Sequence, residues 1–320
     1  MRFENENIRF EQIDIEDHRY RISTALGSEG LIGSVRRSGL LNPPILESKK
    51  ARFTVVSGFR RIDACLRLGW EHIPVRIVDE KTPQRDRILL AVAENSLQRP
   101  LNLIETSRAL NLLSPHFSEP SDLGSVCRDL CLPDTPEHIR KILRLSQLPV
   151  RVQAAVLEGA VSLSMALALD PLETETAVLL CEIFQKLKIG FNVQQESILW
   201  LREIAARDGI SERKILEDPD FLSIITDRAL DLAQQRQAVR KYFKRRRYPT
   251  FAKHEETFEK YRARLPMGSS IKLEPPPFFE GRSYTITIRF SSLSDLEERI
   301  STLSKLSGDI TMKKILTFPQ

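Results

Sequence analysis

Three textures follow one another along the chain. Up to about residue 98 short strands and helices alternate, with β-branched runs near Arg52 to Val56 and Val75 to Val78. Between them Ser57-Gly58 ends the first run, and a helical pattern from about Phe59 sets Ile62, Leu66 and Leu68 on its buried side. From Leu101 to about Arg264 apolar residues recur at helical spacing almost throughout, beginning with Leu103 to Leu113. Ser121 to Pro149 reads as two helices joined by Leu132-Pro133-Asp134. Thr135 or Asp134 is the N-cap of the second, Pro136 takes its first position and Glu137 lies in its first turn. Apolar positions 152, 156, 157, 163, 165, 167 and 169 predict helices that buttress this pair, with Met165 in the core. More helices run from Leu172 to Leu232, among them Val193 to Ala206 with Trp200 and another starting at Ser211, and they carry no motif. After Pro266 and the triplet Pro275-Pro276-Pro277 the period becomes two. Tyr284, Ile286, Ile288 and Phe290 alternate with Thr285, Thr287 and Arg289, predicting a strand with one buried face. Ser294 and Glu297 are spaced as a capping box, and Leu296, Ile300, Leu303 and Leu306 form one helical stripe.

Composition narrows this picture only a little. With 320 residues there is room for two or three domains of roughly 100 to 200 residues each. A net charge of +5 permits a polyanionic partner, but both signs are abundant, so the distribution of charge matters more than its sum. Cys65, Cys127, Cys131 and Cys181 contain no Cys-x-x-Cys pair, and the spacing of Cys127 and Cys131 is not repeated elsewhere. Buried thiols in a reducing compartment fit better than a zinc site. Charge from the second residue onward and the absence of a long apolar run point to a soluble cytoplasmic protein with no membrane partner.

Two stretches carry candidate chemistry by residue type alone. At the strand-helix junction, Gly58 lets the backbone turn and approach a ligand. The first free amides of the helix and the forked donors of Arg60 and Arg61 suit an anion such as a nucleotide phosphate, although a solvated basic turn has the same sequence. The segment Arg240 to Lys253 holds seven Lys or Arg and no acid, including Lys244, Arg245, Arg246 and Arg247, with Tyr242, Phe243, Tyr248 and Phe251 interleaved. As a nucleic-acid patch it would add sequence-independent affinity with a salt slope of about 0.9 per phosphate neutralised. A charged helix end with buried aromatics reads equally well.

From about Asp14 to Asp170 the chain resembles the ParB family of DNA-partition proteins. The resemblance rests on Ser34-Val35 with Ser38-Gly39-Leu40-Leu41-Asn42-Pro43-Pro44-Ile45, then on Ser57-Gly58-Phe59-Arg60-Arg61 followed by Ala64, Leu68-Gly69 and Ile73-Pro74-Val75. It continues through Glu94-Asn95, Gln98-Arg99, Leu101-Asn102 and Ile104-Glu105, and through Leu143-Arg144-Leu145, Leu148-Pro149, Gly159 and Ser162-Leu163-Ser164. The resemblance implies a protein that loads onto double-stranded DNA, binds CTP with Mg2+ in its N-terminal domain and closes into a sliding clamp. By position, Gly58, Phe59, Arg60 and Arg61 would hold the triphosphate, Glu94 and Asn95 would meet phosphates and Mg2+, and Arg19 or Arg21 would approach from the opening segment. Arg99 would complete the site. Two departures stand out. Phe59 replaces the motif glutamate, which removes a carboxylate that could position water or metal for a CTPase. Arg99 lies two places beyond Leu97, the residue that ungapped alignment puts at the motif arginine, a rotation of about two hundred degrees on a helix. Taken without the resemblance, Glu94 and Asn95 read as a helix end before Pro100.

The expected fold is therefore α+β. Residues 1–100 form a mixed, ParB/sulfiredoxin-like nucleotide-binding domain, residues 101–265 an all-helical DNA-binding domain with a helix-turn-helix at about 121–149, and residues 266–320 a small strand-helix dimerisation unit. The second helix of the helix-turn-helix would present Thr135, Glu137, His138, Arg140, Lys141 and Arg144 to DNA, with Ile139, Ile142, Leu143 and Leu145 packed behind. The expected function is a CTP-dependent DNA clamp in chromosome or plasmid partition, nucleoid-associated, homodimeric, with a partition ATPase as a further partner. Transcription regulation or a nucleoid role outside segregation is the alternative within the family. From another class, the shared fold brings in small-molecule phosphotransfer, which needs a base near the arginines, and the sulfiredoxins, which need a cysteine where Phe59 stands.

Overall fold

The computed structural model describes residues 1–25, 29–49 and 52–317. The chain divides into two compact units, Met1–Gln194 and Gln195–Gln320. In the first, β1 (Phe3–Arg9), β2 (Ile13–Asp14), α1 (Glu29–Ser38), β3 (Ile45–Lys49), β4 (Arg52–Ser57), α2 (Phe59–Arg67) and β5 (His72–Val78) precede a helical run. That run is α3 (Gln84–Ser96), α4 (Leu103–Leu113), α5 (Pro120–Asp129), α6 (Pro136–Leu143), α7 (Val150–Leu157), α8 (Leu163–Leu169) and α9 (Thr174–Lys186). The division falls within α10 (Phe191–Asp208). The second unit continues with α11 (Glu212–Leu216), α12 (Pro219–Thr226), α13 (Leu232–Arg247), α14 (Pro249–Arg262), β6 (Ile271–Glu274), β7 (Thr285–Ile288), α15 (Leu293–Ser307) and α16 (Ile310–Leu316).

The sheet of the first unit has the order β1-β5-β3-β4-β2. β1 and β5 are antiparallel, β5 and β3 parallel, β3 and β4 antiparallel, and β4 and β2 parallel. Successive side chains on a strand point to opposite faces, and here both faces are buried. Leu46, Val55 and Ile77 pack on one side with Ile32, Val35 and Ile62 from α1 and α2. Ile45, Val56 and Val78 pack on the other with Ile88 of α3 and Leu110 of α4. That second core is continuous through Cys127 of α5 to Ile139 and Ile142 of α6, so the sheet and the helix pair share one interior.

The helix pair closes through specific backbone chemistry. Pro133 and Asp134 lie in the connection and Thr135 is the N-cap of α6, as expected. The turn's left-handed residue is Cys131, at φ 55°. Leu132 N donates to Cys127 O at 2.8 Å and Cys131 N to Arg128 O at 3.1 Å, the paired bonds that finish a helix through a left-handed residue. Cys131 is thus exposed, whereas Cys65, Cys127 and Cys181 are buried, which corrects the expectation of four buried thiols. Gly124 provides the close approach: a β-carbon there would stand 2.8 Å from the Asp134 carbonyl oxygen.

Other expectations fail in detail. Leu66 is exposed, because the buried arc of α2 runs through Ile62, Ala64 and Cys65. Leu157 is exposed too, while Val152, Val156, Met165 and Leu169 are core. In the second unit β7 pairs with β6, a strand the alternation did not announce, and Leu273 opposite Ile286 supplies the buried face. Ile286 and Phe290 remain exposed, so β7 lacks the buried face expected of it. The cap of α15 is Ser292, whose hydroxyl accepts the Asp295 amide at 3.1 Å, rather than Ser294 with Glu297.

Candidate functional site

At the end of β4 the chain turns through Gly58, whose φ of 99° is open to glycine. A β-carbon there would lie 2.7 Å from Pro44 Cβ, so both conformation and the packed proline require the glycine. α2 starts at once. Arg61 N and Ile62 N make its first bonds to Gly58 O, at 2.9 and 3.0 Å, which leaves the amides of Phe59 and Arg60 ahead of the helical ladder at the positive end of the dipole. Around this end lies a cleft of about 360 Å³. Its walls come from Ile22 and Ser23, from Ser57 to Arg61, and from Glu94, Asn95, Gln98 and Arg99 at the end of α3.

The three arginines of the cleft are in different states. Arg61 donates to the carbonyls of Asn42 at 2.7 Å and Pro43 at 3.3 Å, and pairs with Glu94 at 3.4 Å. It ties the walls together. Arg99 forks onto Glu105 at 2.6 and 2.9 Å. Arg60 has a buried Nε with no hydrogen-bond partner among the described residues. A buried donor left without a partner is unfavourable by about 1–3 kcal/mol, more for a charged group, and among the described residues no acceptor meets this one.

The surrounding electrostatics fix the walls. Burial pushes the Glu105 carboxyl up, but hydrogen bonds from Arg99 and from the amides of Thr24 and Asn102 outweigh it and hold the group below the usual carboxylate range. Glu47 is buried and accepts the Tyr20 hydroxyl at 3.0 Å and Arg87 at 2.5 Å. Burial, then the Glu47 charge, pushes the Tyr20 hydroxyl up to about 12.

Arg19 and Arg21 do not line the cleft. Arg19 pairs with Asp17 at 2.8 Å and Glu47 at 3.7 Å, and Arg21 donates to Ser23 O at 3.3 Å. Phe59 lines the cleft and is half-buried, packing into the cores on both faces of the sheet. Asn95 anchors its Nδ2 on Ala91 O at 2.8 Å. Glu94 and Asn95 could together offer two oxygens to Mg2+, which commonly takes its remaining ligands from phosphates and water. Among the described residues no group of three or more His, Cys, Asp or Glu side chains converges into a protein-only metal cage. Ser23 and Gln98 in the lining, and Glu105 behind it as the partner of Arg99, were not expected at the site. Ser23 reaches it from a distant segment, and Glu105 through Arg99, six residues before it.

A family model described as the ParB N-terminal domain matches residues 5–96, the stretch that builds the sheet and most of this cleft. Residues 5–96 are a ParB N-terminal domain. Among curated relatives, the nucleoid occlusion protein of Bacillus thuringiensis (strain Al Hakam) is 28% identical over 199 residues, covering 60% of this chain and 66% of that protein. The nucleoid occlusion protein of Bacillus mycoides (strain KBAB4) is 28% identical over 189 residues, covering 57% of this chain and 62% of that one. The chain therefore spans just under two thirds of the length of these relatives. Among solved structures, the C-terminally truncated chromosome-partitioning protein ParB from Caulobacter crescentus complexed with CTP-gamma-S aligns at 19% identity, covering 57% of this chain and 98% of that one, with a TM-score of 0.27.

Beyond the ParB N-terminal domain, α6 exposes Thr135, Glu137, His138, Arg140, Lys141 and Arg144, while Ile139 and Ile142 are buried. Lys141 pairs with Glu137 at 2.7 Å and Arg144 with Asp170, which leaves His138 and Arg140 outside these pairs. The basic end of α13 is different. Lys244 pairs with Glu255 at 3.2 Å, Arg245 with Glu256 at 3.6 Å, Arg246 with Asp218, and Arg247 with Glu203. Phe243 is buried against Phe221 and Tyr242 packs on both rings, whereas Tyr248 is exposed. Among the described residues no helix is long and apolar enough to cross a membrane.

Proposed function

We propose that the chain is a ParB-like DNA-binding protein in which a nucleoside triphosphate, held at the N-terminus of α2, governs how two copies hold DNA. The observation that carries this reading is Arg60, a cation whose buried Nε has no partner among the described residues, at the first turn of a helix that lines a cleft. CTP is the nucleotide that the family resemblance implies, and Glu94 with Asn95 would supply oxygens to its Mg2+. DNA contacts fall to the exposed face of α6, where Arg140 and His138 read bases and Arg144 meets phosphate. In the second unit, the exposed Phe290, Leu293 and Ile300 support self-association, since a strand pair and short helices bury little area alone. Phe59 brings no carboxylate to the cleft, which favours nucleotide binding as a switch over rapid hydrolysis.

Relatives named as nucleoid occlusion proteins support a nucleoid-associated role alongside partition. A partition ATPase as partner would separate the two. The test is calorimetric titration of the full chain with CTP, ATP and GTP in the presence of magnesium, with Arg60→Ala as control. Selective CTP binding that disappears in Arg60→Ala supports the proposal. Absence of binding to every nucleotide overturns it and leaves a DNA-binding scaffold.

A further inference from the structure

Glu105 does more than cap a helix. It is 3% exposed, and its oxygens accept both terminal nitrogens of Arg99, the Thr24 amide at 3.0 Å and the Asn102 amide at 3.2 Å. Arg99 and Ser23, the neighbour of Thr24, both line the cleft. Arg108 holds the same loop by donating to Ser23 O at 3.0 Å. One buried carboxylate thus fixes two pieces of the cleft wall, and it does so with the charge sign of a phosphate.

The helix that begins at this carboxylate reaches the DNA-reading pair. Ser107 Oγ and Asn111 Nδ2 donate to Leu143 O, at 3.3 and 2.7 Å, and Ser146 N donates to Ser107 Oγ at 2.9 Å. These bonds hold the end of α6. Glu105 and Ser107 lie within one turn of each other near the start of α4.

We propose that Glu105 is an internal competitor for the anion of the cleft, and that this competition couples the cleft to α6. A guanidinium offers its paired terminal nitrogens to one carboxylate or phosphate at a time. A phosphate drawn in by Arg60 and the α2 amides takes Arg99 from Glu105. The carboxylate, left with the Thr24 and Asn102 groups alone, then holds them less firmly, the first turn of α4 loosens, and the Ser107 contacts to Leu143 and Ser146 shift with it. By linkage, DNA that holds α6 alters phosphate affinity by the same factor as phosphate alters DNA affinity. This inference rests on the cleft being a phosphate site.

The probe is inorganic tripolyphosphate, titrated by calorimetry into the full-length wild type and Glu105→Gln, with amide hydrogen exchange followed in the wild type. Glu105→Gln keeps the volume and an acceptor oxygen, and is expected to bind about tenfold tighter. In the wild type, saturation is expected to speed exchange at Thr24, Asn102 and Ser146, a readout that stands even if the variant folds poorly. Wild-type binding that Glu105→Gln leaves unchanged or weakens overturns the competition while sparing the cleft, as does unchanged exchange on saturation. Binding by Glu105→Gln alone supports both readings, and binding by neither protein overturns both.

Discussion

Two arginine-rich stretches look alike in sequence and differ in the folded chain. Arg60-Arg61 follows a glycine at the start of a helix, and Lys244-Arg245-Arg246-Arg247 ends one. At the end of α13 every member of the run has an acid partner within its own unit, and Arg207 caps the helix by donating to the carbonyls of Arg246 and Arg247 at 2.9 and 3.0 Å. At the start of α2, Arg61 is committed to carbonyls and Glu94, but Arg60 keeps a buried donor unmet. Positive charge alone therefore says little about ligands. Whether the chain has already satisfied the charge says more.

The comparison can be broken at its hinge first. Gly58→Ala sets a β-carbon against Pro44 at a positive φ, and should destabilise the first unit by about 3 kcal/mol in urea unfolding. A smaller loss follows in the second unit, where Arg246 bonds Asp218 and the Tyr242 hydroxyl, the latter at 2.7 Å. Arg246→Ala should lower its stability by about 1–2 kcal/mol, measured the same way, because two partly buried partners lose their donor. The acid limb sharpens the contrast further. Glu105 has a carboxyl held below its usual value, so its stabilisation is present above the unfolded pKa and is lost as pH falls through the folded value. Urea titrations across acidic pH should show a flatter decline for Glu105→Gln than for the wild type. Arg60→Met should leave the fold as stable as the wild type or more stable by up to about 1 kcal/mol, since it removes an unpartnered buried donor, and a thermal melt would show it. At the bottom of the range, Arg245→Met should change neither stability nor nucleotide affinity measurably, because both members of its pair are largely exposed.

Local signals in the sequence carried much of the architecture. The Phe53 to Val78 pattern corresponds to β4, α2 and β5, and Pro136 after Thr135 marks the start of α6. What failed locally had local reasons. β1 buries only Ile8 among Phe3 to Arg9, so an edge strand leaves almost no alternation to read. Ser292 outcompetes Ser294 because Asp295 sits where Ser292 can cap its amide, and Asp295 in turn accepts the Ser291 amide at 3.0 Å. The cleft was legible in its glycine and arginines but not in its walls. Ser23 and Glu105 arrive from segments about 80 residues apart, joined by the Thr24 bond to Glu105, and no spacing rule connects them. Arg19 was expected near phosphate, yet Asp17 two residues before it provides the nearer partner.

The most direct test of the account is equilibrium binding of labelled CTP with magnesium to the wild type, Arg60→Met and Arg245→Met at one ionic strength. Each variant removes one positive charge, so general attraction falls equally in both. The account predicts binding by the wild type and Arg245→Met and none by Arg60→Met. Retention of binding by Arg60→Met, or an equal loss in both variants, would contradict it.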